Sequence, residues 1–125
     1  MSGQKSYTRG QAAERLAVGY LTRHGYTILE TNVRVTGGEI DAVADDHGTL
    51  VFVEVRARRS GVFGDAADSI GPQKRRRVYR AAEVYLQARQ IPPSRPCRID
   101  VVTIQLDSAG QAVRVDLIKN AVEAG

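Results

Sequence analysis

Gly38-Glu39-Ile40-Asp41-Ala42-Val43-Ala44, a polar break at Asp45-Asp46-His47-Gly48, then Leu50-Val51-Phe52-Val53-Glu54-Val55-Arg56: this stretch decides how the chain folds. Both halves are short β-favouring runs rich in Val, Ile and Phe, and the Asp/Gly-rich break between them reads as a reversing turn. The halves are therefore antiparallel neighbours. Burying Ile40, Ala42, Val51 and Val53 on one sheet face sets Ile40 opposite Val53 and Ala42 opposite Val51. The other face then pairs Val43 with Leu50, Asp41 with Phe52 and Glu39 with Glu54, apolar near the turn and acidic at the far end. In that register Asp41 is a diagonal neighbour of Glu54, with Cβ atoms about 7–8 Å apart. Arg56 follows two residues on along the same face.

Upstream, Ala13, Leu16, Ala17, Tyr20 and Leu21 recur at helical spacing between about Thr8 and His24, with Gly25 as a C-terminal cap. Tyr26 to Val35 is β-favouring, the Gly37-Gly38 turn follows, and the strands Glu39 to Ala44 and Leu50 to Ala57 complete a three-stranded meander. Residues 59–71 are punctuated by Gly and Asp without a period and read as a long loop. Pro72 opens a second helix running to about Arg89, with Val78, Ala81, Ala82 and Tyr85 inward, and Pro92, Pro93 and Pro96 end it. Arg98 to Leu106 and Ala112 to Ile118 are two further strands around a turn at Asp107-Ser108-Ala109-Gly110. The expected fold is α/β: helix, antiparallel meander, helix, two strands, in one mixed sheet and one domain over residues 1–125.

No stretch approaches the roughly 18 apolar residues of a membrane span, and the polar opening MSGQKSYTRG lacks the apolar core of a secretory signal, so a cytoplasmic protein is expected. One cysteine, Cys97, excludes an internal disulfide and a cysteine-rich zinc site; it reads as a buried or half-buried inert thiol. His24 at a helix end and His47 in a turn read as capping or solvated, no hydroxyl nucleophile has a matched histidine and carboxylate around it, and no Gly-rich P-loop appears. The net charge of +4 is unevenly spread: residues 56–80 carry eight Lys/Arg against two Asp/Glu. Fifteen of the eighteen cations are arginines, whose planar fork suits phosphate, so a polyanion is the natural partner and a merely solubilising face the alternative.

Carboxylates gathered on one sheet face repel unless something positive lies between them. A divalent cation answers this economically, and Mg²⁺ takes one or two carboxylates together with waters and substrate phosphate. Asp41 and Glu54 are the expected ligands. A phosphodiester drawn to Arg58, Arg59 and the run Lys74, Arg75, Arg76, Arg77 and Arg80 would then sit beside the metal.

At these residues the sequence resembles the YraN family of small bacterial proteins, placed in the restriction-endonuclease-like superfamily near the Holliday-junction resolvases. The resemblance rests on Ala13-Glu14, Leu21 with Gly25-Tyr26, Asn32-Val33-Arg34, Gly38-Glu39-Ile40-Asp41, Val51-Phe52-Val53-Glu54-Val55-Arg56, Phe63-Gly64, Lys74, Ala81-Ala82 with Tyr85-Leu86, and Cys97-Arg98-Ile99-Asp100-Val101-Val102. It implies a restriction-endonuclease-like core and carries the superfamily's acidic signature onto Asp41, Glu54 and Arg56, with Glu14 as a further carboxylate. Asp100 matches a family position for which pairing with an arginine and a functional role are both open. The implied activity is structure-selective DNA cleavage, on branched or junction DNA, with Mg²⁺ or Mn²⁺ and as a symmetric homodimer. Arg56 departs from the signature lysine, and since arginine stays protonated it cannot serve as a base. A non-catalytic DNA-binding or adaptor module on the same fold is the alternative.

Overall fold

The computed structural model describes residues 9–59 and 72–121, with side chains over 11–59 and 76–121. The expected loop at 59–71 lies outside the described residues apart from Arg59. The elements are α1 (Arg9–Arg23), β1 (Thr27–Val35), β2 (Gly38–Asp46), β3 (Thr49–Arg59), α2 (Pro72–Ala88), β4 (Cys97–Leu106) and β5 (Ala112–Ile118). They form one five-stranded sheet in chain order, β1-β2-β3-β4-β5. Only β3 and β4 run parallel. A parallel pair needs a crossover, and α2 supplies it. No helix among the described residues is long and apolar enough to cross a membrane.

The helices cover opposite faces of the sheet. Ala13, Ala17 and Leu21, four residues apart along α1, pack on Ala42, Ala44, Val51, Val53, Val102 and Ile104. Ala81, Ala82 and Tyr85 of α2 pack on Val33, Ile40, Val43, Leu50, Phe52 and Ile99. Phe52 and Tyr85 meet edge to face, with ring centroids 5.4 Å apart. Leu16, which the spacing places near the α1 stripe, is 42% exposed. α1 closes in a Schellman motif: Tyr26 N–H donates to Leu21 O and Gly25 N–H to Thr22 O, with Gly25 at φ +91°. α2 closes in the same way at Gln90 (φ +54°), so the helix has already stopped before Pro92.

The β2–β3 register differs from the expected one by two residues: Ala42 pairs with Val53 and Ala44 with Val51. The cause is the turn. His47 and Gly48 both have positive φ, so two residues reverse the chain and Asp46 pairs directly with Thr49, where a four-residue loop was expected. Cys97 is exposed rather than buried, its thiol donating to Arg95 O at 3.3 Å.

The end of the sheet nearest this turn is closed by a buried polar network. Asp100, fully buried, accepts from Tyr26 Oη (2.8 Å), Arg98 Nε (3.0 Å) and the Asn120 amide (2.9 Å). Arg98 also donates to Tyr26 Oη and to Asp46. Burial and the Asp100 carboxylate push the Tyr26 phenol up to about 12, while the Arg98 and His47 hydrogen bonds hold Asp46 down at about 2. Asp100 thus has the arginine-pairing role.

Candidate metal centre

At the opposite end of the sheet Glu14 of α1 and Glu39 and Asp41 of β2 converge: one ligand oxygen from each lies within 4.8 Å of the others. Glu14 stands between the buried helix residues Ala13 and Ala17, which seat α1 close against the sheet. Asp41 is fixed by its Oδ2, which accepts from the Val55 amide at 2.8 Å. Glu39 is the exposed member, 3.7 Å from the Arg34 guanidinium. Such an exposed pair contributes little to stability.

Regular strands would not bring Asp41 here. Ile40 and Val43 both pack on the α2 side although three residues apart, so alternation fails between them. β1 fails over the facing interval: Glu30 receives the Tyr85 hydroxyl from α2, and Val33, three residues on, lies in the α2 cluster. These intervals are paired, Glu30 with Val43 and Val33 with Ile40, and within them Thr31 with Ala42. Asn32 therefore faces Asp41 across the ladder. It has φ +52°, a left-handed conformation that asparagine tolerates better than most residues. This shared irregularity turns Asn32 and Asp41 onto the α1 face beside Glu14. The end of the Asn32 carboxamide lies 2.7 and 3.2 Å from the two Glu14 oxygens; an amide oxygen there would face only acceptors, so the amide is assigned with its nitrogen toward Glu14, donating to both.

That geometry corrects the expected arrangement of Asp41, Glu54 and Arg56 on one face. Val53 and Val55 lie on the α1 side and Phe52 on the α2 side, and the β3–β4 ladder is unbroken from Leu50 to Arg59, so alternation directs Glu54 and Arg56 away from α1. Glu54 is not one of the three converging carboxylates. It pairs with Arg56 at 3.6 Å, both side chains mostly buried, and Arg56 Nε is buried with no hydrogen-bond partner among the described residues. The main chain links this pair to Asp41, since the amide Asp41 accepts from belongs to Val55, between Glu54 and Arg56.

Of the expected phosphate-binding residues, Arg58 and Arg59 line a cleft of about 280 Å³ together with Glu14, Asp41 and Val55. Arg76, Arg77 and Arg80 are exposed on α2, the helix covering the other face, and do not line this cleft. α2 does approach the start of β2: a Cβ built on Gly38 would lie 3.5 Å from Ala81 Cβ, and Glu39 is the next residue. Lys74 and Arg75 belong to α2, and their side chains lie outside the described residues. Glu14 also borders a second cleft of about 360 Å³ with Gln11, Arg15, Val18, Thr31 and Asn32.

The donor set fits a hard divalent cation. It is all carboxylate, with no histidine or thiol, which suits Mg²⁺ or Mn²⁺ rather than zinc. The carboxylates also repel one another: burial, then the Asp41 carboxylate and the charge of Glu39 raise the Glu14 carboxyl above its ordinary value, and the Asn32 hydrogen bond opposes the rise. A cation held by these groups would relieve that repulsion.

The profile of the uncharacterised protein family UPF0102 matches residues 13–104 of this chain, a span that contains all three carboxylates. The chain belongs to the UPF0102 family. This is the YraN family that the sequence resembles. UPF0102 proteins similar to it include one from Pseudomonas aeruginosa strain LESB58, 41% identical over 121 residues, covering 97% of each chain. Another, from Janthinobacterium sp. strain Marseille, is 46% identical over 115 residues, 92% of this chain and 87% of its own. A third, from Symbiobacterium thermophilum, is 44% identical over 115 residues, 92% and 96% of the two chains. The meeting of Glu39 with Glu14 and the place of Asn32 beside Glu14 are what sequence reasoning missed in this UPF0102 protein. The available signal was an asparagine within a β-favouring run, where that residue type is depleted.

Proposed function

We propose that this UPF0102 protein is a Mg²⁺-dependent, structure-selective DNA endonuclease. The observation that carries the reading is the convergence of Glu14, Glu39 and Asp41 from two elements in contact with a cleft that also holds Arg58 and Arg59. A magnesium ion in such a site supplies a water of lowered pKa and neutralises charge on the phosphoryl group. The protein's own share is positioning: Glu14 and Asp41 are held by Asn32 and by the Val55 amide, and Arg58 and Arg59 attract and orient the phosphodiester. Contacts to phosphate read shape rather than sequence, which suits branched DNA. The exposed arginines of α2 would engage backbone passing around the rim, and a symmetric dimer would present two such sites to a junction.

The second reading is a DNA-binding module without catalysis. It is favoured by one observation, the pairing of Glu54 with Arg56 away from the carboxylate group. Labelled four-way-junction, flap, duplex and single-stranded DNA, incubated with Mg²⁺, Mn²⁺ or chelator, separate the two. The endonuclease reading expects cleavage of branched substrates only with metal. Binding that weakens with salt but yields no product under any condition would establish the module instead.

A further inference from the structure

We infer that Asn32 is the positioning residue of the carboxylate centre, orienting Glu14 through its amide while its backbone matches the irregularity that brings Asp41 to the same face. The inference rests on the proposed metal-binding reading and goes beyond it by assigning a role to a residue that is not itself a ligand. Three observations support it. The first is contact: one terminal atom of the Asn32 carboxamide lies 2.7 and 3.2 Å from the two Glu14 oxygens, and because only a donor can satisfy two carboxylate oxygens there, that atom is assigned as the amide nitrogen. The second is conformation: Asn32 holds φ +52° inside the nine-residue strand β1, where a left-handed residue interrupts the regular ladder. The third is register: the loss of alternation in β1 falls opposite the loss of alternation in β2, with Asn32 facing Asp41.

The chemistry explains why asparagine suits the position. A carboxylate beside two others would swing out toward solvent unless a donor held it, and a cationic donor would compete with the metal for it. A neutral amide donates without bringing a positive charge, and asparagine is among the few side chains compatible with this φ. Glutamine or serine would offer a donor on a backbone less at ease there. Outer partners of metal ligands act in this way, fixing orientation and charge, and their loss typically costs about 10–100-fold in metal affinity.

Asn32→Gly tests this, because glycine keeps the left-handed conformation at no steric cost and removes only the amide. The expected result for the full-length protein is an Mn²⁺ affinity at least about tenfold weaker by calorimetry, with the thermal midpoint of the metal-free protein kept within a few degrees. In metal-free wild type the Asn32 side-chain amide protons should exchange slowly by NMR, and fast in Glu14→Ala. Asn32→Gly binding Mn²⁺ as tightly as wild type, or an Asn32 amide that exchanges like a solvated one, would overturn the inference. A wild type that binds no Mn²⁺ yet protects the Asn32 amide through Glu14 would uphold the positioning and sink the metal reading alone.

Discussion

Asp41→Asn is expected to reduce metal-dependent cleavage on the order of 10³-fold, equivalent to about 4 kcal/mol of transition-state stabilisation, without loss of fold. Asparagine keeps an oxygen where Asp41 Oδ2 accepts the Val55 amide, so the strand geometry survives, and it removes one of the three charges that share the ion. The same change removes the group whose charge and hydrogen bond raise the Glu14 carboxyl. The metal-free variant should therefore melt no lower than wild type, and an increase of a few degrees would follow from relieved repulsion. Loss of activity with gain of stability is the pattern of a site that holds unfavourable charge for function. Cleavage rates under single-turnover conditions, paired with melting curves in chelator, check both halves. An Asp41→Asn protein that cuts at the wild-type rate would remove Asp41 from the chemistry.

The largest effect on stability is expected at the other end of the sheet. Asp100→Ala leaves the Arg98 guanidinium, the Tyr26 hydroxyl and the Asn120 amide short of their shared acceptor, with Asp100 fully buried and Arg98 19% exposed. Removing one partner of a buried ion pair costs about 3–5 kcal/mol, because the remaining charge is left in a poor solvent. For a domain of this size that is a drop of more than about 10 °C in melting midpoint. Urea denaturation should show a lower midpoint with an unchanged slope. A loss below about 1 kcal/mol would mean that Asp46, which Arg98 also contacts, suffices to hold it.

The architecture was legible because period and punctuation agree. The β-favouring runs of β2 and β3 on either side of an Asp/Gly turn, the four-residue spacing of Ala13, Ala17 and Leu21, and Pro72 at the start of α2 each signal an element, and β5 begins and ends at the expected Ala112 and Ile118. The register was not legible to the residue. A two-residue turn and a four-residue turn at Asp45–Gly48 bury the same alternate set in β3, and apolar pattern alone cannot choose between them. The face of Asp41 was hidden for a deeper reason. It depends on an irregularity shared by two strands, and alternation arguments assume that none exists. That is why Glu39 and Asp41 were expected beside Glu54, whereas the sheet brings them to Glu14. The arginines divide in the same way. Arg58 and Arg59 follow β3 to the cleft, but Arg76, Arg77 and Arg80 ride on a helix whose face is settled by Ala81, Ala82 and Tyr85.

The central claim is that Glu14, Glu39 and Asp41 together hold a divalent cation. Diffraction from crystals of the wild-type protein soaked in Mn²⁺, recorded to give an anomalous difference map, tests it most directly. The account expects one strong peak bounded by carboxylate oxygens of these three residues, at about 2.0–2.3 Å from the nearest of them. A map without a peak there at millimolar Mn²⁺, or with its strongest peak at Glu54 on the other face, would contradict it.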